Sequence, residues 1–151
     1  MGLFSQLQNL GVRKTADQSV TSSTTLVDDN ELTFTVAPGG YYFFEVYAEI
    51  TCATAGGVKV GINAPSATNF FCRTFLTDNA TALGVGGQLD TALPVSYGAG
   101  TNGTTAFVKM EGFILDSGSG GTFNFRFAQN ASNGTATTVK AGSYLFFSQL
   151  A

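Results

Sequence analysis

The chain has 151 residues, a net charge of −3, 11% charged residues and 44% hydrophobic residues, including 14 Phe and 5 Tyr. This length suits one domain with its own core, and the acidic balance argues against nucleic acid or an anionic membrane as a partner. Because there is no His, Ser-His-Asp and Cys-His catalytic arrangements are excluded. No segment approaches the roughly 20 apolar residues that a transmembrane helix needs.

The first twelve residues have a pattern of their own. Four apolar residues recur at the spacing that lines one face of a helix: Leu3, Phe4, Leu7 and Leu10. Gly11 predicts the end of that helix, so we divide the chain into an N-terminal arm, residues 1–12, and a β domain, residues 13–151. The N-terminus does not resemble a secretory signal, because Arg13 and Lys14 follow its apolar residues instead of preceding them. We therefore expect synthesis in the cytoplasm without export by a signal of its own.

From residue 13 onward, apolar and polar side chains alternate, as they do in half-buried strands. The alternation is strongest in the segments 31–36, 41–50, 58–62, 106–114 and 123–127. Residues 77–104 contain many glycines and predict only one or two short strands with long loops. The whole pattern predicts eight or nine strands with no helix between them, which is typical of an antiparallel β-sandwich or barrel.

The face of these strands that points away from the predicted core is rich in aromatic residues. Seven residues fall on it: Tyr41, Phe43, Tyr47, Phe107, Phe113, Tyr144 and Phe146. A sandwich buries only one face of each sheet, so in a single chain these side chains would form a large apolar surface. Surfaces of this kind mark interfaces, and we predict that these residues lie between the subunits of a homo-oligomer.

Acidic residues are the remaining candidates for chemistry. Three pairs could flank a glycosidic bond: Asp28 and Asp29, Glu45 and Glu49, and Asp78 and Asp90. The cluster Asp28, Asp29, Asn30 and Glu31 offers oxygen ligands for Ca²⁺ but lacks the spacing of an EF-hand. A simpler interpretation is that these acidic residues lie in a turn or on a solvent-exposed strand face. We predict no catalytic residue, no metal and no cofactor.

Two further features have structural interpretations. The glycine-rich segments 84–88 and 116–121 predict loops rather than phosphate sites, because neither leads into a helix. Cys52 and Cys72 are predicted to remain buried thiols, with a disulfide between them as the alternative.

Five different short motifs lie toward the two ends of the domain: Lys14-Thr15-Ala16-Asp17-Gln18-Ser19, Leu32-Thr33-Phe34, Tyr41 to Tyr47, Ala128-Gln129-Asn130 and Ala141 to Leu145. In these motifs the segments 14–50 and 112–147 resemble a module of tailed-bacteriophage structural proteins, whereas residues 65–105 match it poorly. The resemblance implies a jelly-roll-like β-sandwich, commonly trimeric. Such modules occur in capsid decoration (cement) proteins and at the ends of tail or head fibres.

The leading hypothesis is therefore a non-enzymatic capsid decoration protein. A homotrimer would bind the phage major capsid protein on the outside of the virion, with the predicted helical face of the arm on the shell. The alternative is a receptor-binding or terminal domain of a tail or head fibre, with a cell-surface glycan as partner. A carbohydrate-active enzyme that uses an Asp/Glu pair is the third hypothesis.

Overall fold

The structure is a computed structural model that describes residues 10–79, 81–101 and 104–150; for residues 81–86 it describes the backbone only. The described residues form twelve strands: β1 (Leu10–Arg13), β2 (Gln18–Val20), β3 (Val27–Val36), β4 (Tyr41–Thr51), β5 (Val58–Asn63), β6 (Ala67–Asp78), β7 (Thr81–Asp90), β8 (Val95–Ala99), β9 (Thr105–Asp116), β10 (Gly121–Ala128), β11 (Thr137–Val139) and β12 (Tyr144–Leu150). Within these residues there is no helix long and apolar enough to cross a membrane.

Eight strands follow the pairing pattern of a jelly roll. Antiparallel pairs join β1 to β12, β3 to β10, β4 to β9 and β5 to β8, so the first part of the chain runs back along the last part. This ribbon wraps into the sheets β1-β12-β4-β9 and β3-β10-β5-β8, the two-sheet arrangement of a jelly roll. The predicted all-β, jelly-roll-like sandwich is confirmed.

The predicted count of eight or nine strands was too low. β6 and β7 form a hairpin that extends the larger sheet beyond β9. The short strand β11 pairs with β4 in the same sheet, and β2 pairs with β11. The segment 84–88, predicted as a loop, lies within β7. Glycine has no side chain that could show the alternation of apolar and polar residues, so the sequence pattern does not indicate a strand here. The segment is a strand because its backbone pairs with β6.

The core lies between the inner faces of the two sheets and is dominated by aromatic side chains. Phe34 stacks on Phe123 from the same sheet and on Phe147 from the opposite one, with ring centroids 4.7 and 4.2 Å apart. The inward residues of β4 and β10 alternate with outward ones as predicted. Burial of so many rings supplies much of the hydrophobic free energy of folding.

The two cysteines are buried free thiols, as predicted. Burial raises the pKa of the Cys72 thiol to about 12 and also raises that of Cys52, although the Thr101 hydroxyl lies 3.4 Å from the Cys52 sulfur. Both thiols therefore stay protonated at neutral pH.

The predicted arm overlaps the sandwich. Its last residues, Leu10 to Val12, belong to β1 and pair with β12, where Leu10 lies opposite Phe147. Leu10 is therefore a strand residue and not part of a helical face. The other predicted shell contacts, Leu3, Phe4 and Leu7, lie outside the described residues.

A buried ion pair ties the start of the domain to β3. The ammonium of Lys14 lies 2.9 Å from Asp29 Oδ2, and both side chains are almost completely buried. Asp29 Oδ1 also accepts hydrogen bonds from the backbone amides of Glu31 and Leu32. The predicted turn at Asp28 to Asn30 therefore lies within β3, where its register with β10 shifts.

The other residues of the first motif also make structural contacts. Glu31 accepts hydrogen bonds from Thr15 and Ala16. Asp17 accepts the amide of Ala141 and pairs with Lys140. The backbone carbonyl of Ser143 accepts the amide of Lys14. The first and last motifs therefore contact each other directly, which explains why they specify a fold rather than a reaction.

Gln129, at the centre of a third motif, is fully buried. Its side-chain oxygen accepts the amides of Ser23 and Asn133, and its side-chain nitrogen donates to the carbonyls of Asn133 and Thr135. All its hydrogen-bonding capacity is used to hold the loop that follows β10.

Replacing Lys14 with Met should lower the free energy of unfolding by roughly 3–5 kcal/mol, because it leaves the buried Asp29 carboxylate without its cation. Denaturant unfolding at one fixed protein concentration measures the change. The matched control is Lys140→Met, whose half-exposed pair with Asp17 should contribute far less. Equal effects of the two substitutions would contradict the structural role of Lys14.

Acid should weaken the domain through Glu31. Hydrogen bonds from Thr15, first of all, lower the pKa of Glu31 from 4.5 to about 2. The contribution of Glu31 to the free energy of unfolding is complete above pH 4.5 and is lost as the pH falls toward 2. Thermal midpoints measured across this interval should fall less steeply for Glu31→Gln than for the unmodified protein. Parallel curves would show that Glu31 does not contribute.

Candidate functional site

The seven aromatic residues predicted at subunit interfaces all lie on the outer face of the larger sheet. Three strands carry them, β4, β9 and β12, which are adjacent in that sheet. Phe71 and Phe75 on the neighbouring strand β6 point the same way. We call this surface the aromatic face: Tyr41, Phe43, Tyr47, Phe71, Phe75, Phe107, Phe113, Tyr144 and Phe146.

One cluster of rings on the aromatic face surrounds Phe113. Its ring centroid lies 6.0 Å from that of Tyr41, 5.5 Å from Phe43 and 6.5 Å from Phe71. Strand register produces the cluster, because Phe43, Phe113 and Phe71 are directly opposite one another on β4, β9 and β6. The rings cover part of one another, yet 38% of Phe113 remains exposed.

A second cluster is built from Tyr47, Tyr144 and Phe146. Tyr47 stacks on Tyr144 with centroids 4.9 Å apart, and Tyr144 meets Phe146 edge-on at 5.2 Å. Beside the tyrosine pair lies an open recess of about 500 Å³, whose walls include Phe75, Phe107 and the turn before β12. This recess is mostly apolar and has the size of a ligand site.

Charged residues separate the two clusters. Glu45 and Glu111 are directly opposite each other on β4 and β9, a placement that is unfavourable for like charges. The ammonium of Lys109 lies 2.6 Å from Glu111 and 3.4 Å from Glu45. The hydrogen bonds to Glu111 and Tyr47 raise the pKa of Lys109. Two carboxylates share one ammonium, so this group carries a net charge of −1.

The sequence did not reveal the part of the aromatic face on β6. FFCRTFL predicts a strand of ambiguous facing, whereas in the structure Phe70, Cys72 and Leu76 are buried. Arg73 and Thr77 share the parity of Phe71 and Phe75, and those polar residues were the signal that this side faces outward. Leu89 was missed as well, because the one or two short strands predicted within residues 77–104 were given no position; it lies on β7, opposite Arg73.

Exposed apolar side chains concentrate on this one surface. Among the described residues, six large hydrophobic side chains are exposed, and five belong to the outer face of the larger sheet: Phe75, Leu89, Phe107, Phe113 and Phe146. The sixth, Leu10, lies on the edge strand β1. Isolated exposed apolar residues are ordinary, but a contiguous set is typical of an interaction surface.

The outer face of the smaller sheet has the opposite character. Its outward positions carry small or polar side chains: Thr33, Thr35, Lys59, Asn63, Ser96, Thr122, Asn124 and Arg126. Arg126 pairs there with Asp28 at 2.8 Å. The two outer faces therefore differ in the chemistry of the side chains that they present.

The acidic residues considered for catalysis either make structural contacts or, like Glu49, are exposed on a strand. Asp29 and Glu31 hold the first motif, and Asp28 pairs with Arg126. Asp78 is buried in β6, and Asp90 accepts the side-chain amide of Gln88. Within residues 10–79, 81–101 and 104–150 there is no group of three or more acidic or cysteine side chains that could hold a metal.

Comparison with known proteins adds little. No protein-family model matches the chain, and no curated protein matches it significantly. Among solved structures, the crystal structure of the infectious bursal disease virus VP2 subviral particle aligns with the whole chain at 8% identity and a TM-score of 0.24. The chain spans 46% of that protein's length. A similarity at this level supports no functional argument.

Replacing Lys109 with Met should destabilise the domain by about 0.5–1 kcal/mol at neutral pH, because Glu45 and Glu111 then repel each other across the strands. Urea unfolding at neutral pH measures this loss. In Lys109→Met/Glu45→Gln the neutral-pH loss should be smaller; a loss of unchanged size would contradict the repulsion.

Proposed function

We propose that this protein is a bacteriophage capsid decoration protein that binds the assembled head shell as a homotrimer and stabilises it without catalysis. The observation that carries the proposal is the aromatic face, which the fold leaves uncovered on a single chain. The resemblance of the short motifs to phage structural modules supports the viral context. A protein that binds only the assembled shell shifts the equilibrium toward assembly by mass action, and this needs no chemistry.

Association of copies through the aromatic face explains its composition. The proposed interface combines aromatic anchors with a few charges, as specific interfaces do. The polar outer face of the smaller sheet is then free to meet solvent on the outside of the virion. Three linked copies also strengthen binding to the shell, because each added contact is made within an already bound complex.

The N-terminal residues are proposed to contact the major capsid protein. β1 is an edge strand of the larger sheet, so the residues before Leu10 enter the domain at that edge. Nine residues reach at most about 30 Å when extended. That length is sufficient to bring Leu3, Phe4 and Leu7 from the sheet edge to a neighbouring surface.

Sedimentation should show a trimer at micromolar concentration, and Phe107→Ser/Phe146→Ser should weaken it by tenfold or more. These rings are 53% and 46% exposed on one chain, so the substitutions should change the stability of the subunit by about 1 kcal/mol or less. Thr35→Ser/Thr122→Ser on the polar face is the control. A stable monomer of the unmodified protein would contradict the proposal.

Deletion of residues 2–9 should abolish binding to phage heads without changing the trimer. The deletion stops before Leu10 because β1 begins there and pairs with β12. Occupancy on purified heads that lack the protein is measured by electron microscopy after adding each form. Full occupancy with the deleted form would show that the arm is not the shell contact, and no occupancy with the full chain would refute decoration.

The recess beside Tyr47 and Tyr144 supports a second candidate function, glycan binding by a fibre domain. A stacked tyrosine pair offers a flat apolar surface, and Glu49 and Lys109 at its border offer an acceptor and a donor. A glycan array tests this, with Tyr144→Ala as the variant expected to lose binding. Binding by the unmodified protein but not by Tyr144→Ala would favour this function over decoration.

A further inference from the structure

We propose that Arg73 of one subunit binds the acidic pair Glu45 and Glu111 of a neighbouring subunit. This contact rests on the proposed function only in requiring that copies of the chain cover the aromatic face. Apolar contacts alone do not fix how one copy is aligned on another, whereas a contact between specific charged side chains does. The charge of the acidic pair is what makes such a contact necessary.

Covering the aromatic face would bury an unbalanced charge. Glu45 and Glu111 lie between the two ring clusters, each about one-quarter exposed, and among the described residues they share one ion-pairing cation, Lys109. In water the excess negative charge is well solvated. Once a partner excludes water, an unpaired charge is costly, so the covering surface must bring a cation to this position.

The chain has few cations available for that role. Among its seven basic residues, four are already in ion pairs: Lys14, Lys109, Arg126 and Lys140. Lys59 donates to the carbonyl of Thr24 on the other side of the sandwich. Arg13 and Arg73 make no ion pair within the described residues, and both are exposed on the larger sheet.

Arg73 fits the role better than Arg13. It lies directly opposite Glu111 of its own chain, yet its guanidinium is placed over the Phe75 ring, 4.8 Å from the centroid. It borders an open recess of about 440 Å³ that Phe71 and Leu89 also line. Arg73 is therefore presented together with Leu89, 60% exposed, so that a neighbouring copy would cover both.

For Glu45, geometry separates this contact from one within the chain. Glu45 lies on β4 and Arg73 on β6, with β9 between them, and two strand spacings correspond to about 10 Å. A charge substitution at Glu45 therefore acts on Arg73 mainly through another copy. A guanidinium can bind two carboxylates at once, which a lone ammonium such as Lys109 does less well.

Exchanging the charges tests the contact. At fixed concentration, Arg73→Glu and Glu45→Arg should each weaken association by at least about tenfold, because each places like charges against each other. The double variant Arg73→Glu/Glu45→Arg should restore assembly, since the carboxylate introduced in each subunit then meets the guanidinium introduced in the next at all three interfaces. Sedimentation of each single variant and of the double variant measures this. Circular dichroism confirms folding, and Arg73→Gln and Glu45→Gln are milder replacements if either variant unfolds.

Two controls separate the possible failures. Lys59→Glu changes the charge by the same amount on the polar face and should leave association unchanged, whereas equal weakening would indicate a net-charge effect. If Arg13→Glu weakens assembly and Arg73→Glu does not, the cation has been assigned wrongly. A monomeric unmodified protein refutes the proposed function itself, whereas an unmodified oligomer that tolerates both charge variants refutes only this contact.

Discussion

The constraint on which this structure depends is that a two-layer sandwich buries one face of each sheet, while β4, β9 and β12 carry large apolar side chains on both. The inner set is packed in the core, where Phe44 and Leu145 are fully buried and Phe147 is partly buried. The outer set has only its own neighbours as cover, and ring stacking covers it in part. The folded subunit therefore retains an apolar surface that folding alone does not remove from water.

The hairpin β6–β7 makes this imbalance larger. It lies between β5 and β8 in the chain, the innermost pair of the jelly-roll ribbon, so it extends one sheet while the eight jelly-roll strands keep their pairing. Its outward side chains Phe71, Arg73, Phe75 and Leu89 widen the aromatic face and add a cation at its border. Insertions into loops are well tolerated because closing a longer loop adds little entropy cost. An insertion at this point can therefore enlarge the aromatic face while leaving the core intact.

The motifs that resemble phage structural modules have a structural role here. Lys14, Asp17 and Glu31 connect the start of the domain to β3 and to the turn before β12, and Gln129 fixes the loop after β10. Buried polar groups of this kind are costly unless every partner is present, so they favour one arrangement of the strands over others. The outward side chains of two other motifs, Tyr41 to Tyr47 and Ala141 to Leu145, belong to the aromatic face. The motifs therefore contribute to both the core contacts and that surface.

The sequence by itself determined the fold class and the facing of most strands, because alternation with period two depends only on neighbouring residues. It placed all seven predicted interface residues on one side of the core, from Tyr41 to Phe146. It failed where glycines hide the alternation, as in β7, and where apolar residues occupy both parities, as in β6. Leu10 was assigned to a helical pattern because four apolar residues are too few to distinguish a short helix from a strand start.

Only the tertiary structure decided which strands are neighbours and in what register. Glu45 stands opposite Glu111, and Lys14 reaches Asp29, through contacts between residues far apart in the chain. Many pairings suit the same alternating pattern, and the whole core selects among them. The aromatic face could thus be anticipated residue by residue, whereas its charged centre and its extension onto β6 and β7 depend on packing between distant segments.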